Sequence, residues 1–456
     1  MTRFVTVNRD TAYLLPPSVD EWLPKEHLAR YVVEVIEALD LSGLVKDYAG
    51  GGSAAHHPAV LLGLMVYGYA TGVMSSRKIE RATYDSLAFR YIAGNTNPDH
   101  DTVAAFRKRF LPEIAQLFIQ VLLIARENKF IKLGHIALDG TKVKANASRH
   151  SALSYGHIRE LEAQLEQEVK DLLGKAELAD AQEPIPGMDI PAELTRREER
   201  LAKIREAKQK IEARAKERHA TEQAEYEAKR TAYEKRRDEG NRRGPPPTPP
   251  SAKIEDKEQV NLTDEESRIM PTRGGAFEQC YNAQLGVDTD SRLIVTTGLT
   301  QSTVDKQQVI PALGKINALP EVLGQAQTLI ADTGYMSAAN VSACAAPEAS
   351  GTRAITPLFA IAREHHHLPL AERFALDPEG PIPEEPSAAM AHRLKTRVGK
   401  ALYAVRKSTV EPVIGIVKSV MGFRQFSLRG LNNVTGEWNL VCLAYNIKRM
   451  HRMQAL

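Results

Sequence analysis

From about residue 20 to residue 130 the apolar residues recur at spacings of three and four, the signature of helices with one buried face. VVEVIEALDLSGLV (residues 32–45) carries that period and stops near Gly50–Gly51–Gly52. HPAVLLGLMVYGYATGV (57–73) starts with Pro58, favourable in a first turn, and is apolar almost all round, which predicts a buried helix. SSRKIERATYDSLAFRYI (75–92) opens on two capping serines, Ser75 and Ser76, which suit a helix start. A long amphipathic run over 97–128 follows, with Asp99 or Asp101 as its cap. The pattern predicts a helical N-terminal domain over residues 1–130.

The period then changes. In GHIALDGTKVKANAS (134–148) Ile136, Ala137 and Leu138 are followed by Asp139–Gly140, and then Lys142 and Lys144 alternate with apolar residues. This predicts a buried strand ending at an acid and a turn. AQLGVDTDSRLIVTTGLT (283–300) reads as a hairpin turning at Asp288–Ser291, VDKQQVIPALGKI (304–316) as a helix, and TLIADTG (328–334) as a second buried strand ending in an acid. RAITP (353–357) reads as another short strand. Strands alternating with helices predict an α/β core over 131–154 and 255–456. Between its two parts, residues 155–254 form a charged insertion that ends in the proline-rich run PPPTPP. Ile158, Leu161, Leu165, Val169 and Leu172 give it a short apolar seam, and its later part carries many opposite charges four residues apart. A solvated helical hairpin or coiled coil explains that pattern best. A second interruption, about 358–392, reads as a long loop with some helix; its His365–His366–His367 is a poor metal set, because adjacent side chains do not converge.

Composition narrows the class. The 456 residues are 43% hydrophobic and 26% charged, with 60 Lys and Arg against 57 Asp and Glu, an ordinary globular balance that excludes wholesale disorder. Three distant cysteines, Cys280, Cys344 and Cys442, exclude a disulfide scaffold and a cysteine zinc site. Asp10 and Pro16–Pro17 stand where a signal peptide needs an apolar run, and no apolar stretch reaches membrane-spanning length, so a cytoplasmic protein without a membrane partner is expected. The net charge of +3 does not bear on nucleic acid binding; local clusters must.

Three acids stand out by context: Asp139 and Asp332 at apolar strand ends, and Glu411 in KSTVEPVIGIVKSV, at the expected opening turn of a helix. An acid at the end of a buried strand is costly to desolvate unless a cation or donors meet it. Two such acids plus a helix-borne carboxylate suit Mg²⁺ or Mn²⁺. Two ions about 3.5–4 Å apart can activate a water or hydroxyl and stabilise the leaving oxygen of a phosphodiester. Taken singly, each acid also reads as a turn or helix-start residue, and their separation along the chain does not decide between the two.

A resemblance does. HPAVLLGLMVYGYATGVMSSRKIE, FRYIAGNTNPDHDTVAAFRKRF, ALDGTKVKANAS, YNAQLGVD, ADTGY, VEPVIGIVK and FSLRGLNNVTGEWNLVCLAYNIKRM resemble, in order, the DDE-type transposases of bacterial insertion sequences. The resemblance implies a helical N-terminal transposase domain followed by a ribonuclease-H-like mixed-sheet catalytic core, here with the long charged helical insertion added. It implies that Asp139, Asp332 and Glu411 are the metal-binding triad for two Mg²⁺ or Mn²⁺ ions. The family's third-acid motif, Tyr-x2-Arg-x3-Glu-x6-Lys, is met by Tyr403-x2-Arg406 and Glu411-x6-Lys418, but four residues separate Arg406 from Glu411. Lys407 has the three-residue gap instead, so the family arginine's place falls to either Arg406 or Lys407.

Local charge agrees with a DNA substrate. Lys142, Lys144 and Arg149 follow the first acid, and Arg393, Lys395, Arg397, Lys400, Arg406, Lys407, Lys418, Arg424 and Arg429 surround the third. Such cations hold phosphates while acids hold metals. Tyr335 and Tyr403 are read as sugar or phosphate contacts, or as packing residues. In the N-terminal domain Arg77, Lys78, Arg81, Arg107, Lys108 and Arg109 are candidates for reading terminal inverted repeats or for the wet face of a dimerising bundle. Trp438, Leu440, Val441, Leu443 and Tyr445 read as core. The expected activity is metal-dependent DNA cleavage and strand transfer by a homodimer or larger synaptic assembly. The rivals are a metal nuclease that never joins strands, a non-catalytic DNA-binding relic, and a scaffold built on the charged insertion.

Overall fold

The computed structural model describes residues 18–46, 48, 55–179, 190–238, 245–272, 275–345, 354–361 and 376–454. The chain divides into two units, one formed by Met1–Lys144 with Tyr281–Leu456 and the other by Ala145–Cys280.

Among the described residues, the first unit begins with eight helices: α1 (Val19–Trp22), α2 (Leu28–Glu37), α3 (Ser42–Val45), α4 (Pro58–Thr71), α5 (Ser76–Asp85), α6 (Leu87–Ile92), α7 (His100–Phe110) and α8 (Ile114–Glu127). Helix α4 is buried along most of its length and ends at Gly72, whose φ of 87° is the left-handed conformation that terminates helices. The run over 97–128 is two helices rather than one. Asp99 caps α7 by accepting from the Thr102 N–H at 2.6 Å, and the chain breaks at 111–113, where Pro112 lacks the N–H a continuous helix needs.

The sheet that follows is mixed. Strands β1 (Leu133–Lys144), β5 (Phe277–Asp288), β6 (Ile294–Thr300), β7 (Gly324–Ala331) and β8 (Thr356–Phe359) lie in the order β6-β5-β1-β7-β8. β1, β7 and β8 are parallel, while β5 and β6 form the antiparallel hairpin expected from the sequence. The short strand expected at 353–357 is β8, shifted toward Phe359. Helices α11 (Val309–Asn317), α12 (Ala338–Ala345), α13 (Pro386–Lys395), α14 (Arg397–Gly415) and α15 (Leu431–Gln454) complete the unit.

Helix α15 contacts α2, α4 and α8 on one side and β6 on the other, so it joins the N-terminal helices to the sheet. Its polar side chains do the joining. Asn446 accepts from the Ile294 N–H at 2.8 Å and donates to the Ile294 carbonyl at 2.8 Å, taking the place of a neighbouring strand along the β6 edge. The Trp438 indole N–H donates to the Gln284 carbonyl at 3.2 Å. Glu437, fully buried, accepts from the Tyr69 hydroxyl at 2.8 Å and from the backbone N–H groups of Ser427 and Leu428, each at 3.0 Å. Trp438, Leu440, Val441, Leu443 and Tyr445 are all core residues, as expected. No single described helix is long and apolar enough to cross a membrane.

The second unit holds the charged helices, here α9 (Tyr155–Ala179) and α10 (Ile190–Asp238). Ile158 and Leu165 of α9 pack on Leu201, Ile204, Ala207 and Ile211 of α10, with Val260 beneath. Arg205 pairs with Glu166 at 2.6 Å and Lys208 with Glu162 at 2.6 Å, which fixes an antiparallel hairpin. Strands β2 (Ala152–Ser154) and β3 (Gln259–Asn261) close its base, and β4 (Arg268–Pro271) pairs with the first residues of β5. The part of α10 beyond the seam is held by pairs such as Lys229–Glu225 at 3.1 Å and Arg230–Glu234 at 3.1 Å, each adding a few tenths of a kcal/mol. His365–His366–His367 lie outside the described residues.

Truncating Glu437 would take the acceptor from a buried hydroxyl and from two part-buried backbone N–H groups. Glu437→Ala is expected to cost roughly 3 kcal/mol, and Glu437→Gln, which keeps one acceptor, less. Urea unfolding reads both; an alanine variant as stable as the parent would contradict this account of α15.

Candidate active site

Residues 136–138 of β1 are fully or almost fully buried, and the strand does not end at Asp139. It runs on to Lys144, because the alternating GTKVK segment is itself good strand sequence and has β5 as its neighbour. Asp139 therefore sits inside a strand, a correction to the turn expected there. Asp332 does follow a strand end: β7 stops at Ala331, and the Asp332 Oδ1 accepts from the Gly334 N–H at 2.8 Å to start a single 3₁₀ turn. In the parallel pairing of β1 with β7, Ile136 stands opposite Leu329 and Ala137 opposite Ile330. Two residues further on, the same register sets Asp139 beside Asp332.

Glu411 also differs from expectation. It lies deep in α14, not in an opening turn, and Pro412 is inside the helix. The helix starts at Thr396, whose hydroxyl accepts from the Gly399 N–H at 3.0 Å, and it tolerates the hydrogen bond lost at Pro412. The backbone beyond loosens into a π-helical turn at Ile416–Val420, the kind of local bulge that adjusts a helix near functional residues.

All three acids face one guanidinium. Arg406 Nη2 donates to Asp139 Oδ2 at 2.8 Å and lies 3.7 Å from Asp332 Oδ2, while Nη1 donates to Glu411 Oε1 at 3.1 Å. Lys407, one residue on, is exposed. Of the two cations left open by the sequence, Arg406 is the one that meets the acids. Side-chain exposure rises from 9% at Arg406 through 15% at Asp139 to 41% at Asp332 and 50% at Glu411. The site is closed at Asp139 and open at Glu411.

Burial pushes the Asp139 carboxyl up to about 6. Arg406 and the Gly140 N–H pull it down, and Asp332 and Glu411 push it further up. Burial works against the charge on Arg406 as well, but Asp139, Asp332, Tyr403 and Glu411 outweigh it and hold the guanidinium above its ordinary value. A buried cation ringed by carboxylates stays charged.

Behind the acids lies a polar layer that the sequence reading missed. Asp305 Oδ1 accepts from Asn282 Nδ2 at 2.6 Å and Gln284 Nε2 at 2.8 Å, and Lys142 Nζ stands 3.6 Å away. The Tyr335 hydroxyl donates to Gln284 Oε1. A signal was present: Asn282 and Gln284 are two residues apart in the run Tyr281–Val287, whose other residues are apolar, so both occupy one face. Gly140 is required here, since a Cβ on it would stand 2.3 Å from Gln284 Nε2 and 2.9 Å from Asp305 Oδ1.

The other expected contacts divide. Tyr335 is fully buried with its hydroxyl committed, so its reading as a phosphate contact gives way to packing. Tyr403 is half-buried near Arg406. Lys418 Nζ donates to the Lys142 carbonyl at 2.7 Å, and Lys142 Nζ to the Thr303 carbonyl at 3.2 Å; both brace the site. Lys144 and Lys407 are exposed. In the N-terminal helices Arg77, Lys78, Arg81, Lys108 and Arg109 are exposed, while Arg107 reaches the Tyr69 hydroxyl at 3.4 Å.

Among the described residues, no three acidic, histidine or cysteine side chains are arranged to hold a metal ion. The donor chemistry nonetheless suits a hard divalent cation, since three carboxylates already share one positive group.

The folded-state value of about 6 for Asp139 lies above its ordinary 3.8. Between those pH values the folded chain binds more protons than the unfolded one, so this group's contribution to stability falls as pH rises from about 4 to 6. Asp139→Asn, which removes the charge, is expected to raise stability at pH 7.5 by roughly 1–3 kcal/mol and to give no gain at pH 4. Denaturation at the two pH values checks it; a loss at pH 7.5 would mean that pairing with Arg406 outweighs burial.

Two family models match the chain: a transposase domain (DUF772) over residues 17–109, and a transposase DDE domain over residues 377–451. The first covers helices α1 to α7 almost to their end, and the second contains Arg406, Glu411, Lys418 and nearly all of α15. No curated protein and no solved structure matches. A transposase domain in the N-terminal helices and a transposase DDE domain toward the C-terminus together support a DDE-type insertion-sequence transposase.

Proposed function

We propose that this transposase binds the terminal inverted repeats of its element and carries out DNA cleavage and strand transfer at the Asp139, Asp332 and Glu411 cluster. The observation that carries the reading is the shared guanidinium: acids from β1, the end of β7 and α14 meet at Arg406, although they are far apart in sequence. The three carboxylates would hold Mg²⁺ or Mn²⁺, and such ions activate the attacking oxygen and stabilise the leaving one. Asp139, fixed by the Gly140 N–H at 2.8 Å, is the anchored member. Asp332, held by the Gly334 N–H at 2.8 Å, and Glu411 are the more exposed members, and Glu411 can turn toward incoming charge. Arg406, displaced from the acids, becomes a guanidinium beside a phosphate, a pairing that its planar fork suits. In the first step water attacks phosphorus and the 3′-oxygen at the element end leaves with a proton. In the second that 3′-hydroxyl attacks a target phosphodiester, expelling another 3′-oxygen. Two element ends must meet, so a homodimer or larger synaptic assembly belongs to the reading.

The test supplies a pre-cleaved element end with target DNA and Mg²⁺ or Mn²⁺, and compares the parent with Asp139→Asn, Asp332→Asn and Glu411→Gln. Each variant is expected to bind DNA and to lose roughly a thousand-fold in joined product, the loss of several kcal/mol of transition-state stabilisation. Full activity in any of the three removes that acid from the site. Cleavage by the parent without any joining identifies a nuclease instead.

A further inference from the structure

Beyond Glu411, toward the C-terminal end of α14, lies a cavity of about 120 Å³, with Val413 and Tyr445 in its wall and four cations around it: Arg292, Lys448, Arg449 and Arg452. At about 100° per residue, Pro412 and Val413 stand roughly 100–160° round the helix from Glu411, and Val413 lies about two turns further along the helix than Arg406. We propose that this cavity is a second phosphate site, which grips the sugar–phosphate backbone of DNA away from the reacting strand.

The cations are set on a rigid frame. Arg292 is in the turn between β5 and β6 with φ of 61°, and its backbone N–H donates to the Asp288 carbonyl at 2.9 Å. The Tyr445 hydroxyl donates to the Arg292 carbonyl at 3.1 Å and Arg449 Nε to the Ser291 carbonyl at 2.9 Å, so helix α15 is tied to that turn. Lys448 Nζ donates to the Ala70 carbonyl at 2.6 Å. Among the described residues, the Nη groups of Arg449 and the guanidinium groups of Arg292 and Arg452 have no hydrogen-bonded partner. Lys448, Arg449 and Arg452 share one face of α15 by their spacing.

Charge balance points to an anion. Among the described residues, no carboxylate pairs with any of the four cations. The cluster is felt inside the fold, where burial and then Arg452 hold the Lys448 ammonium below its ordinary value. Four close cations without a counter-ion repel one another, and a bound phosphate relieves that repulsion. The wall of Val413, Pro412 and Tyr445 is apolar enough to accept a deoxyribose beside the phosphate, and contacts of this kind position DNA without reading its sequence.

The proposal rests on DNA being the substrate, and its test reads binding rather than chemistry. Anisotropy of a labelled random-sequence duplex is measured against salt concentration, with the full chain and with an Arg292→Asn/Arg452→Gln double variant. Both side chains are exposed, and asparagine accepts the positive φ at 292. Each phosphate neutralised adds about 0.9 to the salt slope. The variant is therefore expected to bind roughly tenfold more weakly near 0.1 M salt, with a slope smaller by about 1–2 and an unchanged melting temperature. An unchanged slope overturns the proposal. So does a variant that loses binding of inorganic pyrophosphate while keeping the parent's DNA slope, since the cavity would then serve a free phosphate compound. Asp139→Asn is expected to keep the parent's slope, so a parent that binds DNA but joins nothing defeats the strand-transfer reading and leaves this one standing.

Discussion

One buried guanidinium organises this molecule's chemistry. Arg406 is 9% exposed and touches carboxylates from two strands and its own helix. Without a cation among them, the three acids would repel one another, and Asp139 would be a buried charge with only the Gly140 N–H for company. Buried ion pairs of this kind repay their desolvation poorly, and losing one partner is costly. Their presence beside a parallel strand pair argues for a site built for what it can bind, since well-packed apolar residues often stabilise a fold as well or better.

That arrangement depends on precision elsewhere. The register between β1 and β7 places Asp139 beside Asp332, and a one-residue slip would send one of them to the other face. Asn282, Gln284 and Asp305 pin the neighbouring strand, and Gly140 lets that polar layer press against β1. Helix α15 holds the same sheet at its β6 edge through Asn446 and joins it to the N-terminal helices through Glu437 and Tyr69. The two transposase family matches, remote in sequence, thus meet in one unit through this helix.

What the sequence revealed and what it hid follow from the range of each interaction. The apolar runs before Asp139 and Asp332, the helical N-terminus and the charged hairpin were legible, because each is written in local periodicity. Glu411 was legible as an acid of interest only with the help of a family resemblance, and its setting was misjudged: Pro412 suggested a helix start, while packing of α14 on β1 and β7 carries the helix through it. The choice between Arg406 and Lys407 was closed to sequence because adjacent helical residues point about 100° apart, and only the sheet decides which faces it. Asp305 was missed because an acid near the start of an expected helix looks ordinary until its partners are in view.

The exposure gradient across the acids sets a direction for events at the site. Asp139 is buried and fixed, Asp332 is more open, and Glu411 is half exposed on a helix whose next turns loosen at Pro412 and the π-helical segment. On the proposed reading, an incoming cation or phosphate would meet Glu411 first and Asp139 last. Arg406 must give up its hydrogen bond to Glu411 before the one to Asp139, since only the former faces solvent on its acid's side. Pro412 and the π-helical turn at Ile416–Val420 follow directly on Glu411, so the helix is irregular beside the open end of the site and not at Asp139, its closed end.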